Sequence, residues 1–124
     1  KAKIIFTGSQ KDLNLIKRIQ SLMQSKSLYF IGTIKQFFSL IKHSNFVISV
    51  DTSAMHIASA FNKKTIALFG SGNPKIWYPY TKNNIVIYKN NTCTSCMKDY
   101  CNKNLECMQA IKLEDVINTF KKLK

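Results

Sequence analysis

Apolar positions along this chain switch repeatedly between a continuous and a helical spacing. Residues 3 to 7 (Lys-Ile-Ile-Phe-Thr) read as a short buried strand closed by Gly8-Ser9, and from Asp12 the residues Leu13, Ile16, Ile19, Leu22 and Met23 recur at helical intervals. Residues 28 to 31 form a second apolar run, closed by Gly32-Thr33, and Ile34, Phe37, Phe38 and Ile41 trace another helical stripe with Thr33 as its N-cap. The cycle returns at 46 to 50, a β-branched run interrupted by Asp51-Thr52-Ser53, after which Ala54, Ile57, Ala58 and Phe61 fall on one helical face. Residues 65 to 69 predict a fourth strand, followed by a long segment from Gly70 to Lys82 that holds both prolines and the single Trp. Residues 85 to 88 predict a fifth strand, and Leu113, Val116, Ile117 and Phe120 a closing helix.

Short, continuous apolar strands alternating with helices argue for a parallel sheet covered on both faces, because crossover helices bury both sides. With right-handed crossovers the expectation is an α/β, Rossmann-like three-layer domain. Ligands of such sheets sit beyond the carboxyl ends of the strands. The loops at Gly8 to Asp12, Ile31 to Thr33, Asp51 to Ser53 and Gly70 to Asn73 are therefore expected to share one rim.

A length of 124 residues suits a single domain, 1–124, with one core. The chain opens at Lys1 directly into a strand, as a piece of a longer protein would. No apolar run approaches the roughly 18 to 20 residues that span a bilayer, and no signal-peptide pattern is present, so a cytoplasmic location is expected. The formal charge of +13 raises the question of nucleic acid, but only Arg18 among the 19 basic residues is Arg, and the lysines are dispersed. Nucleic-acid binding is not expected; peripheral attraction to the anionic inner face of a membrane is a better use of the charge.

The segment Asp51-Thr52-Ser53-Ala54-Met55-His56 places a carboxylate, two hydroxyls and an imidazole where a strand end opens into a helix. The first-turn N–H groups and the dipole of that helix make a site for an anion such as a pyrophosphate. Thr52 and His56, four apart, lie on one face. Taken alone, the six residues read better as a helix cap followed by a surface histidine than as a ligand site.

Their surroundings alter that balance. The run Phe-Val-Ile-Ser-Val-Asp-Thr-Ser-Ala-Met-His-Ile-Ala-Ser-Ala-Phe, then Thr-Ile-Ala-Leu-Phe-Gly and Asn-Pro, spanning Phe46 to Pro74, resembles the donor domain of the heptosyltransferase family of glycosyltransferases. Thr7-Gly8, Gly32-Thr33 and the cysteine segment with its following helix extend the likeness over nearly the whole chain. Two positions depart from the family's pattern: Ser53 stands where Gly is usual, and Ser71-Gly72 where Pro-Thr is common. The resemblance implies the C-terminal half of a two-Rossmann-domain enzyme that transfers heptose from ADP-heptose to the lipopolysaccharide inner core, with inversion, no cofactor and no required metal. It implies that Thr52 and Ser53 offer backbone N–H groups to the pyrophosphate, that Asp51 faces the sugar-phosphate region, and that His56 supports the phosphates, with Met55 beside them. Asp12 would bind ribose hydroxyls, and Gly32 and Thr33 would border the adenine. The catalytic base and the acceptor contacts would belong to an N-terminal acceptor domain outside this chain. The competing reading is a stand-alone nucleotide-binding or interaction module without catalysis.

Other features carry less. Gly70-x-Gly72 is not a dinucleotide loop, since Pro74 and an aromatic segment replace the required helix. His43 follows Lys42 near a helix C-terminus, where the dipole is explanation enough. Cys93, Cys96, Cys101 and Cys107 form C-x2-C-x4-C-x5-C; the last spacing is longer than a usual zinc knuckle, and a packed or loosely ordered loop of reduced thiols is expected in place of a metal or disulfides. Of the six acids, Asp12 and Asp51 are assigned to the donor side, Asp99 and Glu106 lie in the cysteine segment, and Glu114 and Asp115 open the last helix, so none is a convincing base across a cleft.

Overall fold

A computed structural model describes residues 2–89, 93, 95–98 and 100–123. It divides into two compact units, Lys1–Ser39 and Leu40–Lys124.

In the first unit, β1 (Ile5–Thr7) pairs in parallel with β2 (Leu28–Phe30), Leu28 N donating to Ile4 O at 2.8 Å. A 3-10 turn at Gln10–Asp12 leads into α1 (Leu13–Ser21), whose periodic Ile16 is buried. The Gln20 side chain donates to Ser27 O at 3.0 Å and so ties the end of α1 to the chain entering β2. α2 (Ile34–His43) begins as predicted at Thr33. Thr33 N and Oγ1 both donate to Gln36 Oε1, at 2.9 and 3.0 Å, and Gln36 N donates back to Thr33 Oγ1 at 3.4 Å, a reciprocal capping box.

The second unit holds β3 (Phe46–Val50), β4 (Lys64–Phe69) and β5 (Asn84–Tyr88), all parallel in the order β3-β4-β5. The register pairs Ser49 with Ala67 and Ala67 with Val86, so these residues share one sheet face. On that face α3 (Ser53–Ala60) presses the fully buried Met55 against Ala67 and Phe69, with Val86 and Tyr88 packed around them. Phe46 is of the opposite parity, and its ring meets Phe120 of the final helix edge-on at 4.8 Å. That helix, α6 (Leu113–Leu123), therefore covers the other face, giving the helix, sheet and helix layers expected of an α/β Rossmann-like domain. The described strands form two parallel sheets, β1-β2 and β3-β4-β5.

Asn62, in the left-handed region at φ 52°, ends α3: Asn62 N donates to Ser59 O and Lys63 N to Ala58 O, the pairing of a Schellman cap. Two short helices escape the periodicity. α4 (Pro74–Trp77) starts at Asn73, whose side chain accepts from Lys75 N at 2.9 Å, with Pro74 at the position where a missing N–H costs nothing. α5 (Glu106–Gln109) follows two consecutive left-handed residues, Asn104 and Leu105, and buries Cys107. Among the described residues, no helix is long and apolar enough to cross a membrane.

Candidate functional site

The carboxyl ends of β3 and β4 are where this unit concentrates chemistry. Asp51 N donates to Leu68 O at 3.2 Å, so the β3-β4 ladder extends one residue past β3 and fixes the Asp51 backbone at the sheet edge. Its carboxylate faces a cavity of about 420 Å³ lined by Val50, Leu68, the Gly70 to Gly72 turn, Trp77 and residues of the cysteine segment. Burial raises the Asp51 carboxyl above its ordinary range, while the neighbouring His56 pulls it partly back.

Thr52, extended at φ −146° and ψ 174°, is the N-cap of α3, but its side chain makes no capping hydrogen bond. The hydroxyl turns back instead, to Ser49 Oγ at 3.1 Å and Val50 O at 3.4 Å. Met55 N closes a tight first turn on Thr52 O at 3.1 Å, and the N–H groups ahead of it have no acceptor within the helix, so the dipole's positive end faces an acceptor from outside. Ser53, at the first helical position, is exposed, and His56, one turn on, is half-buried with its ring edge-on to Trp77 at 6.4 Å.

Met55 does not join this group. It was expected at the site with its neighbours, but it is fully buried in the core of the unit. The reason is angular: Met55 lies about 100° around the helix from His56, and α3 is pressed so closely on the sheet that Met55, Ile57, Ala58 and Ser59 are all buried.

Asp12, Gly32 and Thr33 belong to the Lys1–Ser39 unit, at the carboxyl ends of β1 and β2. Asp12 Oδ2 accepts from both Ser9 N and Ser9 Oγ at 2.7 Å, and those bonds hold its carboxyl below the ordinary range. It thus carries the structural task of closing its own turn. A Cβ on Gly32 would approach the Phe30 ring and Gln36 Oε1, at 2.7 Å from the latter, so the small residue there serves packing beside the Thr33 cap.

Trp77 is the site residue that the periodicity did not single out. The sequence reading puts an aromatic segment in place of a helix after Pro74, whereas Pro74–Trp77 form one helical turn that brings Trp77 beside a histidine 21 positions earlier. All four cysteines line the cavity, and no disulfide joins any of them. Among the described residues no three His, Cys, Asp or Glu side chains converge to hold a metal. Cys101 Sγ accepts from Lys103 N and Leu105 N at 3.4 and 3.3 Å, which shapes the turn before α5. Asp99 lies outside the described residues.

A parallel α/β sheet with a helix N-terminus, a carboxylate and an imidazole at its carboxyl edge has the layout of the Rossmann-type ligand-binding domains. The chain belongs to glycosyltransferase family 9 (heptosyltransferase), whose profile matches residues 1–106. It is 28% identical over 127 residues to lipooligosaccharide heptosyltransferase 2 of Campylobacter jejuni, covering 97% of this chain and 40% of that protein. It is 31% identical over 124 residues to lipopolysaccharide heptosyltransferase 3 of Escherichia coli, covering 97% of this chain and 36% of that protein. The chain therefore spans 36 to 40% of the length of these relatives. In fold it is similar to a family 9 glycosyl transferase from Veillonella parvula, at a TM-score of 0.83 and 24% identity over 98% of this chain and 36% of that one. It is also similar to E. coli ADP-heptose lps heptosyltransferase II, at a TM-score of 0.79 and 20% identity with the same coverage.

Proposed function

We propose that this chain is the donor-binding part of an inverting glycosyltransferase that uses ADP-heptose or a related nucleotide sugar and delivers the sugar to a lipopolysaccharide core. The observation that carries the reading is the N-terminus of α3 at the carboxyl edge of the sheet: its cap residue spends its hydroxyl on Ser49 and Val50, so the foremost N–H groups are left to an acceptor from outside the helix, a role that an anion fills well. In this reading the N–H groups of Ser53 and its neighbours meet the diphosphate, and His56, backed by Trp77, supports it from one turn further on. Asp51 stands at the sugar end. As the glycosidic bond breaks, negative charge grows on the departing ADP, and pre-oriented N–H donors with a helix dipole stabilise that charge without reorganising. A base for the acceptor hydroxyl must stand on the opposite side of the sugar, which places it in another part of the enzyme, with the acceptor. The charge of +13 favours approach to the anionic cytoplasmic membrane face, where a lipid-borne acceptor would be met.

Calorimetric titration of the chain with ADP and with ADP-heptose tests the reading. Weak binding is expected, and Asp51→Ala and His56→Ala should weaken binding of the nucleotide sugar without lowering the melting temperature. A folded sample with no heat of binding at millimolar ligand would remove the donor-site reading and leave the stand-alone interaction module.

A further inference from the structure

The Gly70-Ser71-Gly72 turn after β4 has no part in a dinucleotide loop, yet a side chain at either glycine would run into another side chain. Neither has a positive φ, so the backbone of either would accept an alanine. What they lack is room. A Cβ on Gly70 would meet Met108 Sδ at 2.7 Å and Cγ at 2.8 Å, so the bare backbone there lets α5 pack against the end of β4. A Cβ on Gly72 would collide with Asp51 Oδ2 and stand 3.1 Å from Asp51 Cγ, with Phe69 Cδ1 next at 3.5 Å.

The two possible ways of relieving that collision are unequal. Phe69 is fully buried, and the Asp51 backbone is held by its bond to Leu68 O, so neither the floor of the turn nor the main chain of Asp51 yields readily. The Asp51 side chain, turning about its own Cα–Cβ bond, is the soft element. We propose that Gly72 is the positioning residue of the Asp51 carboxylate: the missing side chain at 72 is the space in which that carboxylate stands, and it thereby sets where the sugar end of a donor finds its acceptor group. The ligand half of this inference rests on the donor-site reading; the geometric half does not. The raised affinity of Asp51 for its proton belongs to the same placement, since a carboxylate laid over the turn is shielded from water on that side.

The test compares the wild-type chain with Gly72→Ala, Asp51→Asn and the double variant. First, the Asp51 carboxyl is titrated by 13C NMR: in Gly72→Ala it should swing into water, and its titration should move down towards the ordinary carboxylate range. An unmoved titration overturns the proposal whether or not any ligand binds. Second, ADP and ADP-heptose are titrated calorimetrically. Losing a hydrogen bond to a charged group should reduce the preference for the sugar nucleotide over ADP by roughly tenfold in Asp51→Asn, with an equal loss in Gly72→Ala and no further loss in the double variant. Affinity for ADP itself should stay within about twofold, a pattern that general loosening of the turn would not produce. A Gly72→Ala chain that keeps the preference while Asp51→Asn loses it overturns the proposal; a wild type with no affinity for either ligand overturns the donor-site reading instead. Should Gly72→Ala fail to fold, adding Asp51→Ala removes the colliding group and should restore folding, and failure to restore it refutes the collision.

Discussion

Met55 marks the side of α3 that faces the core, and its truncation has a calculable cost. The side chain is fully buried against Ala67 and Phe69, with Val86 and Tyr88 closing the space. Met55→Ala removes three heavy atoms, worth about 2 kcal/mol in transfer free energy at roughly 0.8 kcal/mol for each buried methylene-sized group. The void adds to that loss, because its walls are two strands of a hydrogen-bonded sheet and collapse little. A total of about 3 to 4 kcal/mol is expected, within the range of roughly 2 to 5 seen for such truncations. Each kcal/mol lowers the melting temperature of a unit this small by about 4 to 8 °C, so the transition should fall by more than 10 °C. Trp77, the chain's single Trp, lies in the same unit and reports its urea unfolding by fluorescence; the midpoint should drop with the slope unchanged. Asp51→Ala, at the rim of the same helix, should stay within about 0.5 kcal/mol of wild type. The packing assignment is refuted if Met55→Ala keeps wild-type stability and loses nucleotide binding, for then the side chain stands at the ligand.

Further outcomes follow from the charges, thiols and acids. Asp51 binds its proton more tightly folded than unfolded, so it opposes folding above its raised titration range and ceases to do so as pH falls through that range; Asp51→Asn should raise the melting temperature at neutral pH and lose the advantage in acid. Asp115 has the opposite sign: Lys112 N and Lys89 Nζ, each at 2.9 Å, hold its carboxyl low, so Asp115→Asn should lower the melting temperature at neutral pH, with the difference vanishing as pH falls through the depressed range. Elemental analysis of the dialysed chain should find much less than one zinc per molecule, and a stoichiometric metal would reverse the reading of the cysteine segment as reduced thiols. Incubated with ADP-heptose and a heptose-deficient core, the chain alone should release no ADP and incorporate no sugar; sustained turnover would mean that one of its own acids serves as base.

The local code is legible wherever one residue's neighbours in sequence are also its neighbours in space. Continuous apolar runs and the 3.6-residue period locate the five strands and the longer helices of the described residues, and the Thr33 cap appears where Thr and Gln stand three apart. The predicted strand at 3 to 7 shortens to Ile5–Thr7, and β5 begins one residue early at Asn84, because strand ends are decided by pairing partners. Asp51-Thr52-Ser53 at a strand end opening into a helix was equally readable, since a strand, a cap and a helix succeed one another along the chain.

What escaped the sequence is whatever depends on how α3 and the turns meet the sheet. Helical spacing says that Met55 and His56 point in different directions; only the sheet beneath α3 decides that one direction is core and the other open. The same holds for Gly72, whose need for a bare Cα comes from a carboxylate 21 residues earlier, and for Trp77, brought beside His56 by a helix of one turn. These are steric facts between segments distant in sequence, and no periodicity encodes them. The chain's own residues determine which elements form, and the packing of those elements determines which side chains are left to face a ligand.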